Sequence, residues 1–306
     1  MVAALPPTGV RVRVPAKINL ALKVGPPRPD GFHPLATVFH AISLYDDLVA
    51  EPAPAGEFTV TVSGEDAELV PTDDSNLAIR AARRLAEAYA PAEGVRLSIK
   101  KAIPVAGGLA GGSADGAAAL VACAALWALD LEQEELLAIA AELGSDVPFA
   151  LVGGTAIGSG RGEQLVPALA RGCYHWVLAF GTEGLSTPKV YGLYDELGGR
   201  TAPPPTVADE LMNALRAGDA AALGESLDND LQPAALTLRP VLRRVLDAGL
   251  DFGALGAVVS GSGPTVAFLA GSESAAIELS VALSAEGICR SVRRAVGPVH
   301  GARVVT

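Results

Sequence analysis

The sequence predicts an α+β fold, and three observations carry that expectation. Strand-like and helix-like segments are mixed along the chain without the regular strand–helix–strand alternation of a doubly wound sheet. Phe58-Thr-Val-Thr-Val62 alternates with period two, as a half-buried strand does. Ser113 to Leu129 is apolar on nearly every face, the pattern of a helix buried between two layers.

Taken in order, the Phe58–Val62 strand ends at Gly64, and Asp74-Ser75-Asn76 offers caps for a helix carrying Leu77, Ala81, Leu85 and Tyr89. A second strand, Val95-Arg-Leu-Ser-Ile99, runs into Pro104 and a glycine-rich loop, after which the buried helix begins. Glu132 to Leu143 reads as a further helix, with acids in its first turn and Gly144 after its last. Beyond Gly153 to Gly162, where a domain change is expected, helical patterns occupy about 207–217, 234–248 and 273–286. Short strand candidates lie among them at Trp176–Phe180, Ala257–Val259 and Thr265–Leu269. The sharpest local break is Thr201-Ala-Pro-Pro-Pro-Thr206.

Composition narrows the function. Half of the 306 residues are hydrophobic and 19% are charged, so a sizeable core is expected and compositional disorder is not. A formal net charge of -11 argues against a nucleic-acid partner, which needs a basic face. It leaves room for a phosphorylated small molecule, because a few backbone N–H groups and one or two lysines bind phosphate locally. Cys123, Cys173 and Cys289 are odd in number and far apart, which fits a reducing cytoplasm better than a disulfide framework or zinc site. No apolar run follows Arg11 and Arg13 as a secretory signal would require, and no stretch approaches the roughly 20 apolar residues of a membrane span. The expectation is a cytoplasmic protein with no membrane association and no obligate protein partner.

The most informative stretch is Pro104, Val105, Ala106, Gly107, Gly108, Leu109, Ala110, Gly111, Gly112, Ser113 and Ala114, between a strand and the start of the buried helix. Glycines let backbone approach an oxyanion closely, and a helix start adds free N–H groups and a positive dipole end. Glycine content alone fits a tight packing turn equally well. A Walker loop needs a Lys after its last glycine, and a dinucleotide fingerprint needs Gly-x-Gly-x-x-Gly; the loop has neither.

Read together with Pro15-Ala-Lys-Ile-Asn-Leu20 and Ser260-Gly-Ser-Gly-Pro-Thr265, the loop resembles the second of the three ordered motifs of the GHMP kinases. Two further stretches narrow the likeness to members whose acceptor carries a cytidine diphosphate. They are Arg28-Pro-Asp-Gly-Phe-His33 followed by Thr37-Val-Phe39, and Gly144-Ser-Asp-Val-Pro-Phe149 followed by Gly153 to Glu163. The resemblance runs from about residue 11 to the carboxyl end. It implies the GHMP kinase fold: a ribosomal-S5-like α+β nucleotide-binding and catalytic domain over residues 1–156, and a ferredoxin-like domain over 157–306. It also implies transfer of the γ-phosphoryl of ATP, with Mg²⁺, to an alcohol.

By the same resemblance Lys17 and Asp146 are the catalytic pair, and residues 104–114 bind ATP. Asp146 in isolation reads as an N-cap or turn acid, and Lys17 as a surface lysine at a strand end. A carboxylate near the acceptor hydroxyl serves as base or as orienting acceptor, and a fixed ammonium offsets charge on the transferring phosphoryl. Asn19 holds substrate or orients Lys17. Phe32 and Tyr191 sandwich the cytosine with His33 beside them, Thr187 meets the diphosphate, and Gly261, Ser262 and Gly263 face the cleft. Phe32 stands where Tyr is expected, Ala110 where Gly is common, and Ala114 where a second Ser is common. Ala110 is compatible with the loop if its φ is negative. No protein ligand for Mg²⁺ is assigned. Other readings are a homoserine- or mevalonate-type acceptor, and a non-catalytic nucleotide-binding regulator of the same fold. The expected signature of a regulator is loss of Lys17 or Asp146, and both are present.

Overall fold

The structure, a computed structural model, describes residues 9–305. Residues 1–8 of the stretch read for a secretory signal lie outside the described residues. In chain order the elements of the first part are β1 (Val10–Val24), β2 (Leu35–Ala53), β3 (Phe58–Gly64), α1 (Leu77–Tyr89), β4 (Gly94–Lys101), α2 (Gly111–Leu126), α3 (Gln133–Leu143), α4 (Val147–Val152), β5 (Thr155–Ser159) and β6 (Gln164–Pro167). Then come β7 (Tyr174–Phe180), α5 (Thr187–Glu196), α6 (Asp209–Ala217), α7 (Ala220–Glu225), β8 (Asp228–Asn229), α8 (Gln232–Leu238), α9 (Val241–Asp251), β9 (Gly256–Val259), β10 (Val266–Ala270), α10 (Glu273–Glu286), β11 (Ser291–Gly297) and β12 (Arg303–Val304).

Among the described residues these strands form two sheets. The first runs β12-β1-β2-β4-β3, with β5 on β2, β6 on β5 and β8 on β1. The second runs β11-β7-β10-β9 with every pair antiparallel. Numbered along the chain, its strands stand in the order 4-1-3-2, the ferredoxin-like arrangement expected of this half. Helices α1, α2 and α3 bury the first core with β1, β2 and β4, and α2 is covered as its sequence requires, from Ala114 to Ala124. Strand β7 is buried on both faces: Trp176, Leu178 and Phe180 join the first core, while Val177 and Ala179 join a second core with α5, α8, α9 and α10. No helix among the described residues is long and apolar enough to cross a membrane.

The predicted elements reappear with three changes. The helix expected over 234–248 is two helices, because Pro240 lacks an N–H and its ring clashes with a preceding carbonyl. Helix α2 runs from Gly111 to Leu126, starting before Ser113 and ending short of Leu129. The boundary expected between 156 and 157 falls inside β5, which with β6 belongs to the first sheet; the chain crosses to the second sheet between Pro167 and Tyr174.

Candidate active site

Strand β1 positions the first two site residues. Its pairing with β2 shifts register between Pro15 and Ala16 and again between Asn19 and Ala21. Pro15 cannot donate to the ladder, and bulges of this kind re-aim side chains. Lys17 and Asn19 lie between the two shifts and are both buried. Lys17 Nζ donates to Asn19 Oδ1 at 2.7 Å and to Gly108 O at 3.3 Å. Asn19 Nδ2 in turn donates to Thr37 Oγ1 at 2.8 Å, and that hydroxyl donates to Ala21 O at 2.7 Å. The chain of bonds fixes Asn19 so that its oxygen, not its amide nitrogen, meets the ammonium.

Asp146 occupies the N-cap position of α4, yet among the described residues its side chain makes no capping bond. Asp146 lies in the turn its local sequence suggests, and Pro148, with no N–H, removes one of the donors its side chain would cap. Its Oδ2 lies 3.6 Å from Lys17 Nζ, and the carboxylate remains partly exposed. Tyr191, also in this cleft, has its phenol pushed up by burial first and by the negative charge of Asp146 second. It stays neutral.

The glycine loop docks against β1 through Lys17 N–H to Leu109 O at 3.3 Å, and Leu109 and Ala114 are buried beneath it. Gly108 has φ +78°, and a Cβ there would stand 2.2 Å from Ser260 O. Ser260 Oγ donates to Gly108 O at 3.0 Å, so the loop and the third motif are closed on each other. The third motif is held from below by Asn229 Nδ2, which donates to Val259 O and Gly261 O at 2.7 Å each. The condition set for Ala110 is not met: its φ is +59°, in the left-handed region, as is that of Ala106 at +54°. The strain of an L-residue there, about 1–2 kcal/mol, is sustained because the loop is fixed on both sides.

Together these groups line a cavity of about 640 Å³. Lys17, Asn19, Asp146, Thr187, Tyr191, Gly261, Ser262 and Gly263 face it, with Pro104 to Gly108 and Ala110 to Ser113 opposite. Thr187 Oγ1 and Ser262 Oγ are 2.8 Å apart, joining α5 to the third motif. The other two aromatic-segment residues stand outside this lining. His33 packs on Tyr191 with ring centroids 5.0 Å apart, and its Nε2 lies 2.9 Å from Asp195 Oδ1. Phe32 is 50% exposed, with the Arg161 guanidinium 5.1 Å from its ring centroid. The sequence reading missed Asn229 and Asp195, which act at long range in the chain and leave no local pattern.

The arrangement offers an ammonium with a donor to spare, a carboxylate beside it, and a glycine loop ending at a helix start. That is equipment for moving a phosphoryl group between two bound molecules. Comparison with known proteins agrees with it. The GHMP kinases N terminal domain matches residues 76–154 and the GHMP kinases C terminal domain matches residues 211–289. A 4-diphosphocytidyl-2-C-methyl-D-erythritol kinase of Thermobifida fusca is 58% identical over 98% of this chain and 99% of its own. The enzyme of that name from Streptomyces coelicolor is 56% identical over 97% of this chain and 99% of its own. A crystal structure of 4-(cytidine 5'-diphospho)-2C-methyl-D-erythritol kinase superposes with TM-score 0.76 at 34% identity, covering 93% of this chain and 98% of that one. A homoserine kinase from Cytophaga hutchinsonii shares the fold, with TM-score 0.77 at 20% identity over the full length of both chains. The chain belongs to the GHMP kinases and, within them, to the family of 4-diphosphocytidyl-2-C-methyl-D-erythritol kinases.

Proposed function

We propose that the protein transfers the γ-phosphoryl of ATP to the 2-hydroxyl of 4-diphosphocytidyl-2-C-methyl-D-erythritol. The observation that carries the mechanism is the Lys17–Asp146 pair, 3.6 Å apart and facing the glycine loop across one cavity. An ammonium has three donors. Two are taken by Asn19 Oδ1 and Gly108 O, which leaves the third for Asp146 or for an oxygen of the transferring phosphoryl. The acceptor hydroxyl binds Asp146, its oxygen attacks the γ-phosphorus, and the bond to the β-bridging oxygen breaks to release ADP. The hydroxyl proton passes to the carboxylate as the new bond forms.

The phosphates lie along residues 104–114, where the N–H groups at the start of α2 point at them. Tyr191 supplies a face for the cytosine and His33 reads its edge, held by Asp195. Phe32, half exposed, covers the outer side. Thr187 and Ser262, already bonded to each other, meet the diphosphate of the acceptor.

The donor set fits a magnesium ion carried in on the nucleotide. Among the described residues no group of three His, Cys, Asp or Glu side chains that could hold a metal is gathered, whereas the Ser113 hydroxyl and the Asp146 carboxylate belong to residues that line the cavity. Those two oxygens would hold it, with phosphate and water completing the shell. Bound there, the ion neutralises charge on the β- and γ-phosphates.

The test is ADP release by the purified protein with Mg-ATP and the cytidine acceptor, alongside homoserine, mevalonate and galactose. Turnover with the cytidine acceptor alone is expected. Turnover with another acceptor would sink the base-slot assignment of Phe32, His33 and Tyr191. ATP binding without turnover of any of them would favour a regulator.

A further inference from the structure

Beneath the glycine loop lie three charged side chains given no role in the transfer just described, although two of them, Lys101 and Asp115, reach the lining of the same cavity. Lys101 ends β4 and is buried, as are Asp46 on β2 and Asp115 in α2. Lys101 Nζ donates to Asp46 Oδ2, to Asp115 Oδ2 at 2.7 Å and to Gly111 O at 3.3 Å, which uses all three of its donors. Asp46 Oδ1 accepts from the backbone N–H groups of Ala102 at 2.6 Å and Ile103 at 2.9 Å. Among the described residues Asp115 Oδ1 has no partner.

The placement of these bonds is specific. Ala102 and Ile103 lead into the loop, while Gly111 and Asp115 lie where it becomes α2. Both ends of the loop are therefore tied to one ammonium and one carboxylate rooted in the sheet. The ammonium passes close under the loop: a Cβ at Gly111 would stand 3.3 Å from Lys101 Nζ. Two carboxylates share one ammonium, and burial, with the charge of Asp46, pushes the Asp115 carboxyl up to about 7 against the pull of Lys101. Stability is a poor reason for such a cluster, since well-packed apolar residues often serve a buried site as well or better. What apolar residues cannot do is hold backbone groups at both ends of a glycine loop in one geometry.

We propose that Asp46, Lys101 and Asp115 are positioning residues that fix the two ends of the nucleotide loop, so that nucleotide affinity depends on them and acceptor affinity does not. This rests on the proposed function only in taking the loop as the ATP site.

The experiment uses the full chain with Asp115→Ala, Lys101→Met and, as the conservative variant, Asp115→Asn. Nucleotide Kd is measured by calorimetry with Mg²⁺ and a non-hydrolysable ATP analogue, KM for ATP and for the acceptor by ADP release, and folding by thermal unfolding. Asp115→Ala and Lys101→Met are expected to weaken nucleotide binding about tenfold or more, the scale of losing a charged hydrogen bond. The acceptor KM should stay within about twofold, and Asp115→Asn, which keeps an oxygen for Lys101, should hold Kd within about threefold. Folded Asp115→Ala and Lys101→Met proteins that bind nucleotide like the unsubstituted chain would overturn the proposal, as would equal rises in both KM values. If Lys101→Met does not fold, Asp115→Ala decides alone, because alanine suits a helix interior and leaves the Lys101–Asp46 pair intact. The Kd readout needs no acceptor, so a mistaken acceptor assignment would show separately, as nucleotide binding without turnover.

Discussion

His40 should make the protein lose stability in mild acid, by an amount that can be worked out from its surroundings. It lies on β2, fully buried, with Nδ1 2.8 Å from Thr155 Oγ1 and its ring edge-on to Tyr174 and Trp176 at 5.8 Å each. Burial holds its pKa down at about 3, against an ordinary value of 6.5. Between those values the unfolded chain binds a proton that the folded chain refuses. The contribution is therefore fully present above pH 6.5 and is lost as pH falls towards 3. Each unit below the unfolded value costs ~1.4 kcal/mol, so at about pH 5 the loss is ~2 kcal/mol, and over the whole window it approaches ~5 kcal/mol. The assay is urea unfolding of the wild-type chain and of His40→Asn at about pH 7.5 and about pH 5. The substitution leaves a cavity whose cost does not depend on pH, so the gap between the two proteins should narrow by ~2 kcal/mol on acidification. A gap that stays constant would refute the reasoning, because it would mean that the folded chain protonates His40 as easily as the unfolded one.

The cleft gives the remaining predictions. Lys17→Ala should lower kcat about 100- to 1000-fold in ADP-release assays, the scale of losing a preorganised charge stabiliser. Asp146→Asn should do the same if the carboxylate accepts the proton, whereas appreciable residual turnover would assign it an orienting role. Gly108→Ala should weaken nucleotide binding by at least about tenfold, since its Cβ would stand 2.2 Å from Ser260 O; unchanged binding by calorimetry would contradict the closed loop. Ala110→Gly should keep or raise thermal stability by up to about 1 kcal/mol, and a clear loss would contradict its left-handed backbone. Tyr191→Leu should raise the acceptor KM about tenfold and leave the ATP KM alone, as stacking on a base is worth ~1–3 kcal/mol.

What could be read in the sequence was what is contiguous. The strands β3, β4, β7, β9 and β10 and the helices α1, α3, α6 and α10 have local signatures, such as Asn76 accepting from Ala78 N–H at the start of α1. The long strands β1 and β2 do not. Most of β1 is buried at successive positions, so no period of two survives, and Pro15 interrupts the pattern where the register shifts. The glycine loop was legible because its four glycines fall within six consecutive residues. The conformation of Ala110 was not, since nothing in an alanine's sequence marks left-handed backbone. The same holds for the cluster under the loop, where Lys101 meets a partner 55 positions away and another 14 positions away. His33 was legible as a residue of interest, but its partner Asp195 is 162 positions on.

The order of synthesis and the order of closure run opposite in this chain. β12, the last strand, pairs through Val304 and Arg303 with Val12 and Arg13, among the first. The segment before it clasps α4: Ala302 N–H donates to Ala150 O at 2.8 Å, and Gly154 N–H donates to Val299 O at 2.7 Å. A ribosome making this protein therefore releases β1 with one edge bare, and the helix behind Asp146 with its far end unheld, until the second sheet has been made. The first sheet is completed by a strand that follows the second. A loss of the segment that holds Ala150 should consequently loosen α4, the helix that starts directly after Asp146.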